Sequence, residues 1–411
     1  GRRRHPAGSV RAGPRFAEFF AGIGLVRMGL EHAGWTLAYA NDLDPEKREM
    51  YDDHFGDADE HFELGDVHDV DASELPDIEL ATASFPCTDL SLAGGRLGFK
   101  GEQSSAFWGF ARVLRDMGSR RPSLVMLENV VGFLTSHGGD DFRSALVALN
   151  SLGYAVDAFV LDARWFVPQS RPRLFVIGSL ISDPDSPSTA DVSRIRPAPL
   201  QRFIASHPDI NWRIRALPDP PQASTATLED IVEDLPRDAP EWWSEDRVTY
   251  LYNQFSDRHQ AIADVLMARR RWSYATVFRR VRPQADGSRR SMGELRTDGI
   301  AGCLRTPKGG SGRQILVKAG YGRLSARLLT PRECARLMGA DDFELAVPAN
   351  QAYFGFGDAV CVPAITWIAR HYLNSLVRTA EPKSNGSQYQ PLQYVRSGTP
   401  VSIRQAGSLP R

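Results

Sequence analysis

Ala83-Ser84-Phe85-Pro86-Cys87-Thr88-Asp89-Leu90-Ser91 follows an apolar run, Ile78 to Ala83, that reads as a short buried strand. Pro86 has no N–H to give a sheet, so the chain leaves the strand there. Cys87 then opens a loop rich in glycine (Gly94, Gly95, Gly98, Gly101). In an open α/β sheet, ligands bind in the crevice beyond the strand ends. A thiol at that place is a candidate nucleophile, provided something lowers its pKa or positions it. Taken alone, the stretch reads more readily as a buried structural cysteine. The flanking sequence reverses that reading.

Upstream, Arg15 to Phe20 reads as a strand, and Ala21-Gly22-Ile23-Gly24-Leu25 as a glycine turn. A helical period continues through Val26, Leu30 and Ala33 and stops at Gly34. Strand, glycine turn and helix form the first half of a nucleotide-type βαβ unit, whose helix N-terminus favours an anionic group. A second strand, Thr36 to Ala40, ends in Asn41-Asp42-Leu43-Asp44. Asp42 lies about 20 residues past the glycine turn, where an acid can hold ribose hydroxyls. A third strand near His61–Leu64 ends at Gly65-Asp66-Val67, another acid at a strand end.

Downstream, a helix is expected from Ser104 to Met117, then a fifth strand, Leu124 to Leu127, ending in Glu128-Asn129-Val130. A helix from Asp141 to Leu152 stops at Gly153. Tyr154–Leu161 and Leu174–Ile177 flank Pro168-Gln169-Ser170-Arg171-Pro172-Arg173 with no helix between them, which predicts a hairpin at the sheet edge.

From Ser179 to Arg327 proline rises, periodicity fades, and arginines interleave with Trp242, Trp243, Tyr250, Tyr252, Trp272 and Tyr274. Lys308 to Gln314 is a basic, glycine-rich loop before an apolar strand, Ile315 to Val317. The stretch reads as a smaller, irregular domain with a basic face. A solvated charged surface explains the same residues. Periodic structure returns at Thr330-Pro331-Arg332-Glu333, with a capping threonine, proline at the first helical position and glutamate three after the cap. Tyr353-Gly355-Gly357-Asp358-Ala359-Val360 leads into a helix expected from Pro363 to about Val377. Residues 1–14 read as a mobile arm and 379–411 as a disordered tail.

Composition agrees with a globular chain: 42% hydrophobic and 24% charged residues are ordinary values. No apolar run approaches a membrane span, and the first 14 residues lack a signal-peptide core. Four scattered cysteines (Cys87, Cys303, Cys334, Cys361) argue for a reducing compartment and against zinc or disulfides. The net charge of −1 is uninformative, but basic residues cluster between Arg194 and Arg323 while acidic ones crowd Asp42 to Asp77.

Together these segments resemble the DNA cytosine-5 methyltransferases over residues 15–180 and 327–378. Phe20-Ala21-Gly22-Ile23-Gly24 matches the family's S-adenosylmethionine turn. The resemblance gives Asp42 the ribose, Leu43 and Phe20 the adenine ring, and Asp66 the adenine amino group. It sets Val67, Pro86, Asp358 and Ala359 beside the same cofactor. Phe85-Pro86-Cys87 is similar to the nucleophile motif, Glu128-Asn129-Val130 to that of the catalytic acid, and Gln169-x-Arg171-x-Arg173 to the arginine pair. Arg327 to Glu333 and Gly357 to Val360 match the closing motifs, in the family's order. Departures are Thr88 for Gln, Glu18 for Asp, Asp358 for Asn, and Cys303-Leu304 for Thr-Leu.

The resemblance implies a doubly wound, Rossmann-like methyltransferase sheet, mostly parallel with an antiparallel edge hairpin. It implies a catalytic domain of residues 15–180 and 327–378 and a target recognition domain at 181–326. The implied substrates are S-adenosylmethionine, leaving as S-adenosylhomocysteine, and duplex DNA. The chain is then expected to be a monomer in the bacterial cytoplasm, associated with the nucleoid and with a restriction or defence system, without metal or membrane. Ser91, Arg305, Lys308, Arg313 and Gln314 are the candidates for touching DNA.

The chemistry needs these groups. Cytosine C5 is a poor nucleophile, and thiolate addition at C6 turns the ring into an enamine with density at C5. At its ordinary pKa only a few per cent of a thiol is ionised at neutral pH, so Arg171 is expected to supply nearby positive charge. Glu128 is expected to serve N3 and the 4-amino group, and Arg173 to hold O2. A nicotinamide oxidoreductase explains the glycine turn but not Cys87, Glu128 and the arginines. A binding-only protein and a tRNA cytosine-5 methyltransferase on the same core remain open alternatives.

Overall fold

A computed structural model describes residues 13–86, 105–181, 191–283, 286–307 and 312–380. Cys87, Ser91 and Lys308, together with the N-terminal arm up to residue 12 and the tail from 381, lie outside the described residues.

Seven strands form the first sheet: β1 (Arg15–Phe19), β2 (Thr36–Asp42), β3 (Phe62–Leu64), β4 (Leu80–Ala83), β5 (Leu124–Val130), β6 (Ala155–Asp162) and β7 (Pro172–Ser179). Their order is β3-β2-β1-β4-β5-β7-β6, parallel except for β7, which runs antiparallel to β5 and β6. The edge hairpin is as the sequence predicts. From β1 the chain winds first toward β3 and later toward β6, so the order reverses between β1 and β4 and opens a crevice at their C-terminal ends.

Both faces of the sheet are covered, which is why its strands are apolar throughout rather than alternating. Ala17, Val125 and Leu127 point to a core shared with Phe110, Val113 and Leu146. Phe16, Leu124 and Met126 point to the opposite core, with Val26, Leu30, Ile365 and Ile368. That second face is closed by the helix Val362–Ile368, which brings the chain's last third back to its first helix, Leu25–Glu31. A Cβ on Gly29 would lie 2.6 Å from Ile365 Cβ, so only glycine permits this approach. The helical run Ala349–Val377 is long and apolar enough to cross a membrane, but 67% of its most apolar window is buried in this core. The expectation that no run has this length is corrected accordingly.

The middle of the chain is more regular than its composition suggests. β8 (Ser273–Pro283), β9 (Arg289–Arg296), β10 (Ile315–Gly320) and β11 (Arg323–Leu328) form an antiparallel sheet in the order β11-β10-β8-β9. Helices Glu245–Tyr252 and Asp257–Met267 cover it over a separate small core that includes Leu251, Phe255, Val277 and Val317.

The expected boundaries at 181 and 326 differ from the packing. Ile195, Leu200, Phe203, Ile204, Trp212 and Ile214 are buried in the cores of the first sheet. Arg196 makes a buried ion pair with Asp157 of β6 at 2.9 Å. Residues 195–214 therefore extend the first sheet, and 326 falls inside β11. Proline-rich, aperiodic sequence concealed this, because irregular chain can pack on a sheet edge without a periodic signal.

Two further elements differ in detail. Tyr353, Gly355 and Gly357, to which the sequence assigned no element, lie in a helix, Ala349–Asp358. Its glycines serve close approach: a Cβ on Gly355 would meet Met50 Sδ at 2.8 Å, and one on Gly357 would meet Thr306 N at 2.5 Å. At Thr330 the capping box forms as read, and Glu333 also makes a fully buried bidentate pair with Arg327 at 2.5 and 2.7 Å.

Candidate active site

A cleft of about 700 Å³ lies over the C-terminal ends of β1, β2, β4 and β5. Two groups of side chains meet in it.

The first surrounds the glycine turn. Phe20 leaves β1 at φ 57°, a left-handed conformation rare outside glycine and characteristic of strained functional sites. Gly22 and Gly24 also have positive φ, 56° and 82°, and a Cβ on Gly24 would strike Phe55 at 2.5 Å. Asp42, at the end of β2, accepts from Gly22 N–H at 2.8 Å and from Asp44 N–H at 2.9 Å. Its carboxylate is thereby aimed across the turn, although burial raises its pKa more than these bonds lower it. Asp66 accepts from His68 N–H at 2.9 Å, and the bonds to His68 hold its pKa below the ordinary value. Leu43 is 68% exposed beside this group and offers an uncovered apolar wall. Val67, Pro86, Asp358 and Ala359 line the same cleft, and Asp358 pairs with Lys47 at 2.7 Å.

Ile23 and Gly24 do not line it. Ile23 is buried in the core beneath the turn, and Gly24 caps the helix Leu25–Glu31.

Glu18 is a residue that sequence reading registered only as a departure. It is buried in β1, faces the cleft, and its Oε2 has no partner among the described residues. Burial pushes its pKa well up, against the opposing influence of Arg27. A buried carboxylate oxygen left unpaired is costly, and a cationic group in the cleft would satisfy it.

The second group lies beyond β4 and β5. Glu128, buried in β5, has Arg173 Nε 3.1 Å from its Oε1 and is hydrogen-bonded by Ser84. Burial raises its pKa, while Arg173 and Arg171 hold it down. The adjacent Asn129, also unassigned by sequence reading, donates from Nδ2 to Phe85 O at 3.1 Å. It fixes the last described turn before Cys87.

Arg171 lines the cleft and also makes contacts that the sequence did not announce. Its guanidinium is buried and donates to Leu304 O at 2.7 Å, Gly357 O at 3.0 Å and Ala359 O at 2.7 Å. It ties the β9–β10 connection and the C-terminal helices to the chain just before β7, while its Nε, on a side chain that lines the cleft, has no partner among the described residues. Cys303 is drawn into the same cluster, with Arg171 Nη1 3.4 Å from its sulfur. Burial raises the Cys303 pKa, but Arg171, Arg173 and Arg305 outweigh it and bring it below the usual thiol value.

The expected DNA-facing residues divide. Arg305 is exposed, with its guanidinium 5.1 Å from the centre of the Phe278 ring. Arg313 bonds the exposed Asn350 and lies over Tyr353, and its Nε has no partner among the described residues. Gln314 is buried at the start of β10.

This arrangement can hold a nucleoside bearing a cation between Asp42 and Glu18, facing a planar ring gripped by Glu128 and Arg173. The family model for C-5 cytosine-specific DNA methylases matches residues 14–374. Type II methyltransferase M.HhaI of Haemophilus parahaemolyticus is 29% identical over 89% of this chain and 95% of its own. Type II methyltransferase M.Bsp6I of a Bacillus species is 26% identical over 88% and 99%. Among solved structures, the S. pombe Dnmt2 methyltransferase has a TM-score of 0.57 at 17% identity, covering 90% of this chain and 99% of that one.

Proposed function

The chain belongs to the C-5 cytosine-specific DNA methylases, and from that premise we propose how its residues divide the work. The activity is transfer of a methyl group from S-adenosylmethionine to C5 of cytosine in DNA. The observation that carries the division is the single cleft joining the Asp42 turn to the Glu128–Arg173 pair, with the chain to Cys87 leaving from its rim at Pro86.

The cofactor fits the first group. Asp42 would hold the ribose hydroxyls, Phe20 and Leu43 the adenine, Asp66 its amino group, and Glu18, through the Oε2 that has no partner among the described residues, the α-ammonium group. Bound there, S-adenosylmethionine supplies an electrophilic methyl on a sulfonium. Asp358, paired with Lys47, closes the side where the family's asparagine would stand.

Cys87 adds to C6 of the target cytosine, and C5 becomes nucleophilic. Glu128 serves N3 and the 4-amino group: burial raises its pKa above the ordinary value, which favours the protonated form that N3 requires. Arg173, held against Glu128, is placed for O2. After methyl transfer the C5 proton leaves and the thiol is eliminated. Arg171 acts as a positioning residue. The base leaves the duplex to enter this cleft, the route general to enzymes that do chemistry on a base.

The antiparallel sheet β8–β11 with its arginines is read as the recognition unit. We read the chain as a monomer acting on nucleoid DNA in the cytoplasm. The type II names of the relatives support a role beside a restriction endonuclease or another defence component.

The test is labelled methyl transfer to duplex DNA and, in parallel, to tRNA, with bisulfite sequencing of DNA from a host expressing the chain. Methylation confined to tRNA would refute the DNA reading. Exchanging residues 215–328 for those of a relative of different specificity should transfer the relative's site. An active chimera that keeps the original site would place recognition in the catalytic sheet.

A further inference from the structure

Beside the cofactor cleft, a cavity of about 450 Å³ opens between the start of β7 and the recognition sheet. Ser170 and Pro172, the sequence neighbours of Arg171 and Arg173, form one wall. Thr276 of β8, Gly302, Cys303 and Gln314 form the other. The cavity therefore adjoins the catalytic groups directly.

Two polar atoms in its wall are buried and unused. Gln314 is 5% exposed and Thr276 1% exposed, yet among the described residues neither Gln314 Oε1 nor Thr276 Oγ1 has a hydrogen-bond partner. The orientation of the amide follows from chemistry. Gln314 Nε2 donates to Cys303 O at 3.3 Å, and turning the amide would set two acceptor oxygens against each other. The group left unpaired is thus an acceptor.

Its seat is also built. A Cβ on residue 302 would lie 2.7 Å from Gln314 Oε1, so glycine there lets the side chain lie where it does. Arg305 at the rim adds positive charge suited to a phosphate backbone.

We propose that this cavity receives the edge of a DNA base carrying an exocyclic amino group, adenine or cytosine, close to the target cytosine. Gln314 Oε1 accepts from the amino group and the Thr276 hydroxyl completes the contact. In the major groove adenine and cytosine present an amino donor, whereas guanine and thymine present a carbonyl that would face Gln314 Oε1 as a second acceptor. Of the two amino-bearing bases, only adenine also offers N7 to the Thr276 hydroxyl. This assigns base reading to two buried neutral groups rather than to Arg313, which does not line the cavity. The inference rests on the DNA methylase reading and refines it.

The experiment uses the full chain and duplexes randomised around the methylated cytosine, read by bisulfite sequencing. The wild type should require an amino-bearing base at one position. Gln314→Leu should relax that position roughly tenfold or more and leave the others unchanged. In a second arm the wild type acts on duplexes lacking the amino group at that position, with purine in place of adenine or 2-pyrimidinone in place of cytosine. A rate loss of roughly tenfold is expected, and this arm stands even if the variant fails to fold. If the wild type methylates its site, and neither the variant nor the amino deletion alters preference, the assignment of Gln314 is overturned while the methylase reading survives. A wild type that methylates no duplex would remove both.

Discussion

Arg173 Nε lies 3.1 Å from Glu128 Oε1, on a diagonal of the antiparallel β5–β7 ladder in which Val130 stands opposite Arg173 and Phe175 opposite Glu128. The pair is rigid because each partner sits on a strand of the same sheet. Its electrostatics are opposed: burial raises the Glu128 pKa and Arg173 is the largest influence lowering it. Arg173→Ala should therefore shift Glu128 to a still higher pKa. The high-pH limb of kcat, where Glu128 loses its proton, should move upward while kcat itself falls. A pH profile with an unmoved limb would detach Glu128 from proton handling.

Cys87→Ser should reduce methyl transfer to background and leave DNA binding intact, because an alcohol is far less ionised than a thiol at neutral pH. DNA containing 5-fluorocytosine should trap a covalent adduct with the wild type, since fluorine cannot leave as a proton. Intact-mass spectrometry finding no adduct, under conditions that methylate ordinary DNA, would argue against the covalent route.

Asp42→Ala should weaken S-adenosylmethionine binding roughly ten- to a hundredfold, the worth of a hydrogen bond to an ionised acceptor, about 1.5–3 kcal/mol. Because burial raises the Asp42 pKa, affinity should also begin to fall, as pH is lowered, above the ordinary aspartate range. Calorimetric titration with an unchanged dissociation constant would make Asp42 a merely structural acid.

Arg171→Lys should destabilise the fold by about 3 kcal/mol or more. Lysine cannot reproduce a planar fork, and buried carbonyls left unpaired cost roughly 1–3 kcal/mol each. Denaturant unfolding is the measurement. An unchanged midpoint would mean that the carbonyls of Leu304, Gly357 and Ala359 find other donors.

Glu18→Gln separates stability from binding. The folded-state pKa of Glu18 is raised above its ordinary value, so the folded protein holds this proton to higher pH than the unfolded chain does. Its contribution is fully present below the ordinary glutamate value and is lost as pH rises through the raised one. Glutamine does not titrate, so the stability of the variant relative to wild type should grow as pH rises from the ordinary glutamate value through the raised one. Cofactor affinity should fall at the same time, with the acceptor for its ammonium group weakened. A pH-independent stability difference would show that Glu18 is ionised in both states.

The sequence by itself determined the parts written in local chemistry. Gly22 and Gly24 marked a turn with positive φ, Pro86 ended a strand, and Thr330 with Glu333 announced a helix start, because each depends on backbone preferences within a few residues. The alternation of strands and helices from Arg15 to Gly153, and the Arg171-bearing hairpin after it, fixed a doubly wound sheet with an antiparallel edge. Only the tertiary structure decided what distant residues do to one another. It brought Glu128 within reach of Arg173, set the Arg171 fork on three backbone carbonyls, buried Gln314 against Gly302, and left Glu18 Oε2 without a partner among the described residues. It also folded residues 195–214 onto the first sheet despite their aperiodic sequence. Whether an arginine faces DNA or a carbonyl depends on which chain segments pack around it, and residue type and spacing carry no record of that.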